Sequence, residues 1–78
     1  MFYTYVLKSK IDDKLYIGFC EDLKKRLTEH NSGKVSSTKP RIPLKLVYYE
    51  ACLCKGKAIS REKYFKTGFG RRFLKSRI

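Results

Sequence analysis

The stretch KLYIGFCEDLKKRLTEHN, residues 14–31, sets an arginine and the chain's only histidine beside leucines at helical spacing. Leu23 and Leu27 are four apart and mark a buried stripe, while Arg26 and His30 follow each of them by three, on the adjoining flank. The plain structural reading is a cation that snorkels and a histidine that caps the helix C-terminus. Farther along, AISREKYFK sets Glu62 among Ala58, Ile59 and Phe65, on the apolar stripe of a second helix. A carboxylate there needs a cation or a metal, and an ion pair with a nearby Lys or Arg would satisfy it. Yet a carboxylate, an arginine, a histidine and tyrosines facing one sheet would equip a site for phosphate-ester chemistry. The acid holds a divalent cation, the guanidinium neutralises phosphate, and a phenol or imidazole activates water.

Such residues need elements to bring them together. FYTYVLKS crowds aromatic and β-branched residues and predicts a strand from about Phe2 to Leu7, with Tyr3, Tyr5 and Leu7 on one face. The polar SKIDDK leads to a second strand over Leu15 to Phe19, so the two form an antiparallel hairpin. Gly18 near its end permits a close backbone approach or a bend. Asp22 is an N-cap for a helix running to about Asn31, where SGK stops it. NSGKVSSTKPRIP reads as a basic loop, LKLVYYEA as a third strand and CKGKAISREKYFK as a second helix, and GFGRRFLKSRI holds a short turn of helix after its glycines. The order β-β-α-β-α predicts an α+β fold: a small three-stranded antiparallel sheet flanked by helices.

Seventy-eight residues leave room for one domain, residues 1–78, and one modest core. Nineteen Lys and Arg against seven Asp and Glu give a net charge of +12. A folded domain that repels itself so strongly suits a polyanionic partner, nucleic acid first among them. With six Tyr and five Phe interspersed, it is no disordered polycation. Cys20, Cys52 and Cys54 fit no zinc ligand set and read as small buried thiols in a reducing compartment. No stretch has the apolar run of a membrane span or signal peptide, and a cytoplasmic location is expected.

Tyr3-Thr4-Tyr5 followed by Tyr16-Ile17-Gly18 resembles the paired signature of the GIY-YIG nuclease superfamily. DLKKRLTEHNSGK, KPRIPLKLVYYE and AISREKYFK resemble its small free-standing bacterial branch, in order and spacing, over about nine tenths of the chain. The resemblance implies an endonuclease that hydrolyses DNA phosphodiesters with one Mg²⁺ or Mn²⁺. It implies a catalytic set of Tyr5, Tyr16, Arg26, His30 and Glu62, with Glu62 as metal ligand. Tyr16, activated by cationic neighbours or the metal, or else His30, would take the proton of the attacking water, Tyr5 would bond the phosphate or a metal-bound water, and Arg26 would stabilise the transition state. The basic loop is expected to hold nucleic acid through Lys34, Thr38, Lys39 and Arg41. Tyr3 stands where the signature has its first glycine, and Phe19 where the excision-repair incision nuclease has lysine, a phosphate contact that is then either missing or supplied by Lys39 or Arg41. No Asn follows Glu62, although larger relatives have one. Substrate preference is expected to come from DNA structure or from a targeting partner protein. The alternative is a basic module that binds DNA or RNA without cutting it, stacking bases on Tyr and Phe.

Overall fold

The computed structural model describes all residues, Met1–Ile78. Strands β1 (Phe2–Ser9), β2 (Leu15–Cys20) and β3 (Leu44–Cys52) form one antiparallel sheet in the order β2-β1-β3. Helix α1 (Leu23–Asn31) precedes a 3-10 turn, Lys39–Arg41, and helices α2 (Lys55–Phe65) and α3 (Gly68–Lys75) close the chain. No helix is long and apolar enough to cross a membrane.

Central β1 is buried on both faces from Thr4 to Leu7, which is why its alternation is masked by a continuous apolar run. One face carries Tyr5, Leu7, Cys20 and Leu44, with Tyr3, Tyr16, Leu23 and Leu27 packed against them, so α1 covers this side. The other carries Val6 and Ile17 against Phe65 of α2 and Leu74 of α3. Each core is small; complete burial of a side chain such as Phe65 contributes about 1.5–3 kcal/mol.

Three expectations need correction. The C-terminal helix does not follow the glycines but contains them: Thr67 caps it by accepting from the Gly70 N–H at 3.1 Å. A Cβ on Gly70 would overlap the Tyr64 carbonyl and the Phe65 backbone, so glycine there lets α3 lie directly on the end of α2. The loop over 31–43 includes the 3-10 turn and a wholly buried Thr38. Of the thiols, only Cys20 is buried; Cys52 is half-buried and Cys54 exposed at the N-cap of α2.

Candidate active site

Helix α1 starts as expected, with the Asp22 carboxylate accepting from the Lys25 N–H at 3.0 Å. Its far end is clamped to the sheet. The Asn31 side chain donates to the Leu44 carbonyl at 2.9 Å and accepts from the Leu44 N–H at 2.7 Å. That two-bond clamp presses the last turn of a nine-residue helix onto the sheet, and His30, not Leu23 or Leu27, is the residue it buries completely. His30 therefore lies in the core rather than on its flank. Nor does it serve as a charged helix cap. Burial, followed by the Arg26 charge, depresses its pKa against a smaller pull from Glu29, because desolvating an imidazolium outweighs the helix dipole.

Both ring nitrogens are engaged. His30 Nε2 lies 2.8 Å from the Tyr5 hydroxyl and Nδ1 2.8 Å from the Thr38 hydroxyl. Arg26 Nε–H donates to the Tyr5 oxygen at 3.4 Å, and the Thr38 hydroxyl donates to the Val35 carbonyl at 3.4 Å. Arginine only donates and a carbonyl only accepts. One assignment uses every hydrogen: Arg26 to Tyr5, Tyr5 to His30 Nε2, His30 Nδ1–H to Thr38, and Thr38 to Val35. The opposite tautomer would leave the Tyr5 hydroxyl hydrogen without an acceptor among these groups.

The two tyrosines of this face differ. Tyr5 is 1% exposed, and burial pushes its pKa up to about 12 despite the hydrogen bond from Arg26. It is a fixed hydroxyl, bonded to His30 and Arg26, and not an open phosphate contact. It needs Gly18 directly opposite on β2, since a Cβ there would overlap its phenol. Tyr16, on edge strand β2, is half-buried. Its ring meets His30 edge-on at 5.0 Å and Tyr5 at 6.4 Å, and its hydroxyl makes no hydrogen bond within the protein. Arg26 stands beside them, also donating to Glu29 at 3.3 Å, with 36% of its side chain exposed. The hydrogen bond to Tyr5 first, and that to Glu29 with lesser weight, raise its pKa and hold the guanidinium charged.

No hydrogen bond joins Glu62 to this cluster. Helix α2 packs on the opposite face, where Ala58 and Phe65 point inward and the Thr4 hydroxyl donates to the Ala58 carbonyl at 2.8 Å. The cation within its apolar side is Arg61, stacked over Phe65, Phe73 and Tyr64 and bonded twice to Glu50 at 2.8 and 3.0 Å. Glu62 is one position round the helix, 23% exposed, and pairs with Lys66 at 3.1 Å. The carboxylate expected on the buried stripe with a cation or a metal is thus a partly open one, paired with Lys66.

Of the loop residues, Thr38 cannot touch nucleic acid: it is wholly buried and holds His30. Lys34 and Lys39 are exposed. Arg41 is half-buried beside Asp12 at 3.5 Å. Sequence reasoning missed the Asn31 clamp and the role of Thr38, because a polar residue in a Ser- and Pro-rich loop has no periodic signal.

A family model described as the GIY-YIG catalytic domain matches residues 1–75. UPF0213 proteins of Streptococcus pyogenes serotypes M3 and M5 are 48% identical over 65 residues, covering 82% of this chain and 70% of theirs. A UPF0213 protein of Bacillus halodurans, solved in solution by NMR, superposes with a TM-score of 0.60 and 32% identity over 97% of this chain and 84% of that one. With its hairpin signature, sheet order and helix arrangement accounted for, the chain belongs to the GIY-YIG nuclease superfamily, in its UPF0213 branch.

Proposed function

We propose that this chain, as one domain, is a metal-dependent endonuclease that hydrolyses phosphodiester bonds in DNA, with structured or damaged DNA as its substrate class. The observation that carries the reading is the open Tyr16 phenol beside a charged Arg26, over a buried Tyr5–His30 pair. Tyr16 accepts the proton of the attacking water as a phenolate, its own proton having passed to solvent with the Arg26 charge stabilising the anion. It is the one phenol of the pair without a partner in the protein. Arg26 meets the developing phosphoryl charge with the nitrogens that Tyr5 does not use. Tyr5 and His30 act as positioning residues, since their polar atoms are committed to each other, to Arg26 and to Thr38.

Glu62 would hold Mg²⁺ or Mn²⁺. One carboxylate oxygen bonds Lys66 and the other has no hydrogen-bond partner in the protein, and a hard ion that keeps most of its waters needs little more than one such oxygen. Such an ion supplies Lewis-acid stabilisation of phosphoryl oxygens. A cytoplasmic site of action fits three free thiols. The test is nicking of supercoiled plasmid with Mg²⁺ or Mn²⁺, against EDTA. Tyr16→Phe is expected to lose about 10²–10⁴ in rate while duplex binding holds; cutting at the parent rate would overturn the assignment.

One observation favours a second reading, a basic module that binds nucleic acid without cutting: Glu62 already has a partner in Lys66. Metal-dependent nicking that survives repurification and disappears with Tyr16→Phe rejects that reading.

A further inference from the structure

The hairpin between β1 and β2 ends in a second concentration of charge. Lys14, Arg41, Arg71 and Lys75 line an open cavity of about 510 Å³ with Asp13 and Leu15. Three separate segments supply the four cations: the hairpin, the 3-10 turn and α3. Arg71 and Lys75 are four apart on α3, a spacing at which like charges repel along one helix face. Two carboxylates lie nearby, Asp13 in the lining and Asp12 against Arg41. They leave the cavity with an excess of positive charge.

Arg41 is the centre of it. Its backbone is fixed on both sides: the N–H donates to the Thr38 carbonyl at 2.8 Å, and its own carbonyl accepts from the Ser9 hydroxyl at 2.7 Å. Its guanidinium is not so well served. Nε and Nη2 are buried yet make no hydrogen bond, and the Asp12 oxygen at 3.5 Å is not aligned to accept one. These are the only buried side-chain nitrogens or oxygens in the chain without a partner. The guanidinium is always charged, and its unbonded Nε–Nη2 edge, closed to solvent beside Asp12, becomes a bidentate donor when it turns outward into the cavity.

We infer that this cavity is a second phosphate-binding site, which takes a backbone phosphodiester of the nucleic acid bound for cleavage, on Arg41 with Arg71, Lys75 and Lys14. The inference rests on the nuclease reading for the identity of its ligand, but not for its geometry. The 3-10 turn joins the two sites: Thr38 at its N-cap holds His30, and Arg41 at its last position faces the cavity. A strand held here is gripped by Arg41, three residues after the Thr38 that holds His30, so this site would set how a duplex lies across Tyr16.

The test is made in EDTA, where no cutting occurs. Fluorescence anisotropy of a labelled DNA duplex against salt gives the number of phosphate contacts, each worth about 0.9 in the log–log slope. Arg71→Gln with Lys75→Gln, both exposed, is expected to flatten the slope by about one contact or more. Lys55→Gln with Lys63→Gln on α2 removes the same charge and is expected to change it by less than half as much. Arg41→Lys, which keeps the charge and loses the fork, should weaken binding several-fold with little change in slope. In ¹H–¹⁵N spectra the Arg41 Nε–H signal should shift saturably with duplex. Equal slopes for the two double variants, or an Arg41 signal that responds to inorganic phosphate but not to duplex, would overturn the inference. Its failure leaves plasmid nicking by the parent untouched, whereas absent nicking with these slopes intact would count against the nuclease reading alone.

Discussion

Thr38→Val removes one hydroxyl from the core and almost no volume. In the parent the Thr38 oxygen accepts from His30 Nδ1–H at 2.8 Å, with both residues fully buried. Valine leaves that N–H without an acceptor and without water, a loss that costs about 1–3 kcal/mol. For a domain of this size such a loss lowers the melting temperature by roughly 5–20 °C. Thr38→Ser keeps the oxygen and should recover most of it. Long-range ¹H–¹⁵N NMR of the parent should report the Nδ1–H tautomer of His30, the one that lets Nε2 accept from Tyr5. Thermal melts and plasmid nicking on the same preparations then separate stability from activity. At a temperature where all variants are folded, Thr38→Val should slow nicking without weakening duplex binding, since Arg26 and the basic cavity are untouched. An Nε2–H tautomer in the parent, or a Thr38→Val protein as stable as Thr38→Ser, would refute the hydrogen-bond assignment.

Gly18→Ala should cost about 1–3 kcal/mol of overpacking and displace the Tyr5 phenol, which the new methyl would overlap; melts and the loss of the Tyr5–His30 coupling in NMR check it. Stability should also depend on pH through His30, whose folded pKa lies below its ordinary 6.5. The unfolded chain then binds the proton more readily, so the contribution is complete above about pH 6.5 and is lost as pH falls toward the folded pKa, by up to about 1.4 kcal/mol per pH unit. Denaturant melts between pH 5 and 7 measure it, and a flat profile would contradict a buried neutral ring. Glu62→Gln breaks only a half-exposed pair with Lys66, a loss of about 0.5 kcal/mol or less. An unchanged melting temperature with metal-dependent nicking abolished supports Glu62 as ligand, and nicking at the parent rate removes that role.

Much of the architecture was legible because it depends on local patterns: the hairpin from aromatic and β-branched crowding and the polar SKIDDK, α1 from its Asp22 cap and Asn31 stop, β3 from LVYY. The pairing of Tyr5 with Gly18 was foreshadowed by a glycine inside a strand. What the pattern could not give was depth. Leu23 and Leu27 define the stripe of α1, yet the more buried residue is His30, because a tertiary clamp by Asn31 on Leu44 tilts the helix end inward. Helical periodicity likewise gave the face of Glu62 but not the one-position rotation that puts Arg61 inward, since Arg61 is drawn there by Glu50 of β3 and three aromatic rings. Thr38 is placed by its bond to His30, eight residues away, and Arg41 shares a cavity with the α3 cations, neighbourhoods that a loop's local pattern does not reveal.

The paired tyrosines look equivalent in the sequence and point to the same face of the sheet, so strand order decides what each can do. Tyr5 lies in β1, which has neighbours on both sides, and its phenol is covered by α1 and closed by His30 and Arg26. Burial holds its proton, with a pKa of about 12, so at neutral pH it can orient a neighbour but cannot take a proton. Tyr16 lies in β2, at the edge of the sheet, where nothing in the protein bonds its hydroxyl. A base must reach the water it deprotonates, and of the two phenols only the edge one is open to do so. The buried set of Tyr5, His30 and Thr38 then has a purpose that does not require any of its atoms to meet the substrate. It holds one side of the Arg26 guanidinium and the ring against which Tyr16 packs, and under the proposed mechanism the two partly exposed groups would thereby keep a constant separation.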